Sequence, residues 1–195
     1  CYTGIRKCGK AGKKGEDEME KYPILLFDSD GTLFDFEKAE EAALESAFRT
    51  YRLPYDRQVL ATYKEINNQV WLTFERGELT KEELQPLRFS RLFAELKHPV
   101  SPTDFNGSYV RELGKRGDLL PVALELCQSL SESHRLSIIP NGIDTTQKNR
   151  LEHPPIRPFF RGRYTSEAVG HPKPAPAYFA AAVPPLPLQA KKAVL

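Results

Sequence analysis

The sequence predicts an α/β fold in which a parallel sheet core is interrupted by an inserted bundle of helices. Three observations carry this. Four consecutive apolar residues, 24–27, end abruptly in Asp28-Ser29-Asp30-Gly31-Thr32, as a strand buried on both faces of a parallel sheet would. Four successive amphipathic helix patterns then fill residues 35–118. From Leu119 onward short apolar runs alternate again with helix signals, the pattern of strands and crossover helices.

The first strand is the chemical centre of the chain. Ligands of open α/β sheets sit beyond the carboxyl ends of the strands, where Asp28 and Asp30 would project. Two acids this close resist ionising together unless a cation lies between them or one keeps a proton. Hard oxygen donors of this kind suit Mg²⁺, and Asp28 and Asp30 are the candidate metal ligands. Gly31 lets the chain turn sharply off the strand.

The inserted helices follow in order. Residues 37–51 place Ala39, Ala43, Ala47 and Tyr51 on one stripe, and Arg52-Leu53-Pro54 breaks it. A second helix from about Asp56 carries Val59, Tyr63, Ile66, Val70 and Phe74 at spacings of three and four. Arg76-Gly77 ends it, Gly77 suiting a left-handed cap. Thr80 and Glu83 form a capping box ahead of Leu84, Leu87 and Phe93. Ser101, Pro102 and Asp104 supply a cap, a first-turn proline and an acid at the third position, ahead of Phe105, Tyr109 and Leu113.

In the returning α/β part, residues 121–130 read as a helix and 135–139 as a short strand. Asn141-Gly142-Ile143-Asp144 is a loop at that strand's end. Asp144 and Gln147 are expected to form a capping box opening a helix to about Glu152, which His153-Pro154-Pro155 stops. Residues 159–164 form a weaker segment, a helix is expected over 174–182, and Lys192 begins a further strand. Backbone N–H groups at Asn141 and Gly142, beside a helix start, could make an anion site. Lys173 is fixed between Pro172 and Pro174 and could pair with a phosphate or a carboxylate.

Bulk properties narrow the field. The 195 residues fit one domain with a modest insertion. A net charge of +2 with scattered basic residues gives no nucleic-acid signal. No apolar run approaches the ~18 residues of a membrane span. Three cysteines, Cys1, Cys8 and Cys127, suit neither a zinc site nor a disulfide framework, so a reduced, cytoplasmic setting is expected; separately, a monomer or homodimer is expected. Residues 1–21 read as a disordered N-terminal extension, with Met19 as the natural start.

The run Phe27-Asp28-Ser29-Asp30-Gly31-Thr32-Leu33-Phe34 resembles the first motif of the haloacid dehalogenase superfamily of phosphohydrolases. The resemblance implies a Rossmann-like core, residues 22–34 and 119–195, with a four-helix cap, 35–118. It implies Asp28 as the nucleophile that forms an aspartyl-phosphate and Asp30 as general acid and then base. Asp30 stands where the dehalogenating branch typically has Tyr, which favours phosphate chemistry. Asn141-Gly142 matches the second motif, with Pro140 where the family usually has Thr or Ser. Lys173 matches the third. The implied phosphate-binding set is Gly31, Thr32, Asn141 and Gly142. The fourth motif, a Gly-Asp pair completing the Mg²⁺ shell, would follow the strand at Lys192, so the chain reads as ending before it.

Within the superfamily, the phrases 30–40, Ile66-Asn67-Asn68-Gln69-Val70-Trp71, Arg88-Phe89 and 166–170 look like the pyrimidine 5′-nucleotidase branch. That implies a nucleoside monophosphate, a small-molecule phosphomonoester, as substrate. Asn67 and Trp71 lie one helical turn apart and share a face that could close over the nucleoside; Trp71 as ordinary helix core is the competing reading. A degenerate, inactive relative and a phosphatase of sugar phosphate or phosphoglycolate are the alternatives.

Overall fold

The sheet is built around β1, Ile24–Phe27, which pairs in parallel with β2, Arg135–Ile138, on one side and with β4, Ala193–Val194, on the other. The outer neighbour of β2 is β3, Phe160–Arg163, giving the order β3-β2-β1-β4. The computed structural model describes residues 22–152, 154–182 and the backbone of 193–194. The expectations for residues 1–21, for His153 and for Lys192 lie outside the described residues. Strand order runs outward from β1 to β3 and then returns to the far side of β1 for β4. Asp28 therefore leaves the sheet beside a reversal of strand order, where crevices open in α/β folds.

Both faces of β1 are covered. Ile24 and Leu26 pack with Ile139, Tyr178 and Ala182, whereas Leu25 and Phe27 join Leu33, Phe34, Leu136, Ile138 and Phe160. This explains why the strand reads as an uninterrupted apolar run.

Between β1 and β2 stand four long helices: α1, Phe36–Thr50; α2, Arg57–Glu75; α3, Lys81–Leu96; and α4, Pro102–Gly114. Each opens on a side-chain cap: Asp35, Asp56, Thr80 and Ser101 accept from the backbone N–H three residues on. The Thr80–Glu83 capping box forms in both directions, and Gly77 takes φ 76°, open to glycine without strain. The bundle has its own core, in which Phe48, Tyr63, Phe89, Phe93, Phe105 and Tyr109 interlock as edge-on and tilted ring pairs. Its two connections to the sheet run side by side: Asp35 donates to the Asp118 carbonyl at 2.9 Å and Leu120 to the Leu33 carbonyl at 2.9 Å.

The rest of the chain supplies α5, Ala123–Ser131; α6, Asp144–Glu152; α7, Ser166–Val169; and α8, Pro176–Ala182. Two of these start later than expected. Val122 adopts φ 61°, outside the right-handed helical region, so α5 begins at Ala123 rather than Pro121. Ala175 precedes Pro176, a position that disfavours helical backbone, so α8 begins at Pro176.

The expected Asp144–Gln147 capping box does not form. Asp144 is the first residue of α6, and its carboxylate is taken by the Arg163 guanidinium and by the Thr165 hydroxyl at 2.6 Å. These contacts hold the Asp144 carboxyl below the usual carboxylate range. The Gln147 N–H bonds the Ile143 carbonyl instead, at 3.0 Å. Its side chain is thereby released to turn toward β1.

Candidate active site

Beyond Phe27 the backbone delivers Asp28 to the rim of the sheet, and Lys173 meets it there from the loop before α8. Lys173 Nζ lies 2.7 Å from Asp28 Oδ1. Asn141, at the end of β2, fixes the backbone that presents the lysine: its Nδ2 donates to the Lys173 carbonyl at 2.9 Å, and the Lys173 N–H donates to its Oδ1 at 2.8 Å. Three residues separated widely in sequence thus form one unit. The Ser29 N–H also reaches Asp28 Oδ1, at 2.8 Å, so both donors converge on one carboxylate oxygen. The Asp28 side chain stays 44% exposed while Lys173 is 13% exposed, which leaves the acid open to a ligand.

Asp30 is held quite differently. Arg150 Nη1 lies 2.5 Å from its Oδ1, and Gln147 Nε2 donates to its Oδ2 at 3.0 Å. Arg150 is 1% exposed, stacked against Phe34 and Phe36 with its guanidinium carbon 5.4 and 5.5 Å from their ring centres. Its Nε donates to the Arg116 carbonyl at 3.2 Å. Gln147 Oε1 in turn accepts from the Ser29 hydroxyl at 3.2 Å. Arg150 was not singled out in the sequence, and Gln147, one helical turn before it on α6, was expected only as the capping partner of Asp144. A signal was there: among the nine residues of α6, Leu151 is the only apolar one, so the face this helix buries had to be polar and had to find polar partners.

The expected phosphate-binding residues are distributed unevenly. Asn141 borders the cleft. Gly31, at φ 75°, donates its N–H to the Phe34 carbonyl at 3.0 Å, and both Gly31 and Thr32 are exposed outside the cleft lining. Gly142 is buried, donating to Ser166 Oγ at 3.3 Å and accepting from Lys81 Nζ at 3.0 Å. A Cβ at position 142 would stand 2.9 Å from Gln147 Nε2, so glycine here leaves space for the glutamine that reaches Asp30.

A cleft of about 650 Å³ joins this rim to the helical bundle, within the size range of small-molecule sites. Asp28, Asp30, Asn141, Lys173 and Phe179 line it from the sheet side, and Phe36, Glu40, Asn67, Trp71 and Phe74 from the helices. Trp71 packs edge-on against Phe74 with ring centres 5.5 Å apart and stands apart from the bundle's hydrophobic core cluster. Asn67 is 8% exposed and its amide is committed: Nδ2 donates to Glu40 Oε1 at 3.0 Å, and Oδ1 accepts from Arg88 Nη1 at 3.4 Å.

As a metal site the rim offers hard oxygen donors. The Asp30 carboxylate is engaged by Arg150 and Gln147, which leaves the Asp28 carboxylate and main-chain oxygen. Among the described residues no group of three or more His, Cys, Asp or Glu side chains clusters as a ready-made site. The donor set fits Mg²⁺, which keeps several waters and takes one or two protein ligands. No helix among the described residues is long and apolar enough to cross a membrane.

Comparison with known proteins agrees with this geometry. The family model of haloacid dehalogenase-like hydrolases matches residues 25–195. HAD-hydrolase YfnB of Bacillus subtilis is 35% identical over 161 residues, covering 83% of this chain and 68% of that protein. Its magnesium-bound crystal structure superposes with a TM-score of 0.82 at 34% identity, covering 87% of this chain and 74% of the other. Pyrimidine 5′-nucleotidase PynA of Streptococcus pneumoniae is 31% identical over 159 residues, 81% of this chain and 67% of PynA. Pyrimidine 5′-nucleotidase YjjG of Escherichia coli is 29% identical over 154 residues, with 79% and 67% covered. With its three sequence motifs brought to one cleft and a family match over nearly all of its described length, the chain belongs to the haloacid dehalogenase-like hydrolases.

Proposed function

We propose that this hydrolase is a phosphatase of nucleoside 5′-monophosphates that works through a phosphorylated Asp28. The observation that carries the reading is the 2.7 Å contact of Lys173 with Asp28 at the mouth of a cleft whose opposite wall is aromatic. A carboxylate oxygen of Asp28 forms a bond to phosphorus as the bond to the nucleoside 5′-oxygen breaks. Asp30, entering the step protonated, gives that proton to the leaving oxygen and is left as the carboxylate that Arg150 faces. It then takes a proton from the water that attacks phosphorus and frees Asp28. Lys173 balances charge on the phosphoryl oxygens, and Asn141 keeps the lysine in place. Arg150 and Gln147 fix the direction of Asp30, so its proton is delivered without a search through rotamers.

In this reading the Asp28 carboxylate and the Asp30 carbonyl would hold Mg²⁺, which would neutralise phosphate charge. Residues 35–118 act as a cap that excludes bulk water from the cleft. The resemblance to the two pyrimidine nucleotidases supports a nucleotide substrate. Phosphate release from a panel of uridine, thymidine, cytidine, ribose and glycolate monophosphates, with and without Mg²⁺, tests it. Metal-dependent release that is fastest with the pyrimidine nucleotides is expected. Equal or faster release from ribose 5-phosphate or phosphoglycolate would overturn the substrate class, and absence of release from every compound would overturn the activity.

A further inference from the structure

Inside the otherwise aromatic core of the bundle runs a single polar chain. Asn106 Nδ2 donates to Gln85 Oε1 at 3.1 Å, and Arg88 Nη2 donates to Asn106 Oδ1 at 2.9 Å. Arg88 lies between Phe89 and Tyr109, with its guanidinium carbon 5.0 and 4.8 Å from their ring centres. It passes to Asn67, which passes to Glu40. Each buried polar group needs a partner, because an unsatisfied one costs desolvation energy. The polar chain ends at the cleft wall on Glu40, a residue that is 5% exposed. A carboxylate has about four acceptor sites; Asn67 fills one, and the Tyr63 hydroxyl lies alongside. Because Glu40 lines the cleft, its remaining acceptor capacity can meet a ligand there.

Building on the nucleotidase reading, we propose that Glu40 reads the base: its carboxylate accepts the ring imide N–H of a uracil or thymine, while Trp71 and Phe74 cover the ring. Asn67 and Arg88 serve as its positioning residues. Discrimination follows from proton inventory. Uracil and thymine present a donor at ring nitrogen 3, whereas cytosine presents an acceptor there, which would face the carboxylate acceptor to acceptor.

The same arrangement makes base preference depend on pH. Burial pushes the Glu40 carboxyl up to about 6, against the opposing effect of Arg88 on α3 and Lys64 on α2. The other groups facing it are Tyr63 on α2, Tyr109 on α4, Tyr55 before α2 and Glu37 on its own helix. Above this pH the ionised group accepts from uracil. Below it the protonated group can donate to cytosine nitrogen 3.

Trp71 is the only tryptophan of the chain and lines the cleft, so its fluorescence reports binding without turnover. Titrations of the full chain with UMP, CMP, ribose 5-phosphate and inorganic phosphate, without metal, at about pH 7.5 and about pH 5, test the proposal. Wild type should bind UMP about tenfold more tightly than CMP at the higher pH and lose most of that ratio at the lower. Glu40→Gln, whose amide both donates and accepts, should show a ratio near one at both. Glu40→Asp, which keeps the charge, should retain a pH-dependent ratio. An unchanged UMP preference in Glu40→Gln, or a wild-type preference flat across this range, would overturn the role of Glu40 and leave the nucleotide reading standing. Wild type binding UMP no more tightly than ribose 5-phosphate would overturn both.

Discussion

The two ends of the cleft hold charge in opposite ways. At the sheet rim Asp28 is 44% exposed and contacts Lys173 at 2.7 Å, a pair that water can reach and a ligand can enter. At the bundle wall Glu40 is 5% exposed, and behind it stand Asn67 and Arg88. Asp30 lies between these extremes, 27% exposed yet held by an arginine that is 1% exposed. An open ion pair is weak but rearranges easily, which suits a group that must exchange its partner for a phosphoryl group. A buried network is costly to disturb and fixes direction, which suits recognition and proton delivery. In the proposed reading the difference separates chemistry at one end from selection at the other, and substitutions can break it at either.

The largest effect should come from the open end. Asp28→Asn leaves the shape of the rim intact but removes the proposed nucleophile, and phosphate release should fall at least about 10³-fold with the melting temperature nearly unchanged. Retained turnover would remove the distinction between the two ends altogether. Arg150→Met tests the intermediate case. Methionine fills the space between Phe34 and Phe36 but leaves Asp30 and the Arg116 carbonyl without their buried partner, so a loss of about 3 kcal/mol in urea denaturation is expected. Asp30 would lose its fixed direction, and kcat should drop about 10- to 100-fold with KM little changed. Partial rescue by Arg150→Lys is expected, because the charge returns without the bidentate fork.

Gly142→Ala is a finer probe of the same support. Its new Cβ would meet Gln147 at 2.9 Å from Nε2 and 3.2 Å from Cγ, and would press the amide away from Asp30. A kcat lowered about 3- to 10-fold, again without a KM effect, is the expected outcome in steady-state kinetics.

The smallest effect concerns stability at the buried end. Glu40 titrates near 6 in the folded chain against 4.5 for the ordinary carboxyl. Its favourable contribution is complete below about pH 4.5 and is lost as pH rises through about 6. The stability of Glu40→Gln relative to wild type should therefore climb by about 2 kcal/mol between pH 4.5 and pH 7.5 in denaturant titrations. A constant difference across that range would place Glu40 in contact with water.

Much of the rim was legible before any coordinates, because its signals are local. The apolar run 24–27 followed by Asp28 and Asp30, the Asn141 loop after β2, and Lys173 between two prolines each declare themselves within a few residues. The helix starts at Asp56, Thr80 and Ser101 were legible for the same reason, since a cap and its N–H partner lie three residues apart. What stayed hidden depends on partners far along the chain. Asp144 and Gln147 have the spacing of a capping box, but Arg163 and Thr165 claim the first and Asp30 the second. Glu40 sits on the buried face of α1 among Ala39, Ala43, Leu44, Ala47 and Phe48. It is the one charged residue on that face, and its role appears only once α2 and α3 bring Asn67 and Arg88 to it. Asn67 was legible as a cleft residue, but its engagement on both sides was not, because Glu40 and Arg88 lie 27 and 21 residues away.

The proposed covalent step at Asp28 can be tested chemically. Enzyme mixed with UMP and Mg²⁺, quenched in acid and treated with borohydride, should yield peptides in which the side chain at position 28 has been reduced to that of homoserine, as an acyl phosphate but not a free carboxylate allows. The conversion should require substrate and be absent in Asp28→Asn. Phosphate release that proceeds while position 28 remains unreduced, or reduction appearing at another carboxylate, would contradict the account.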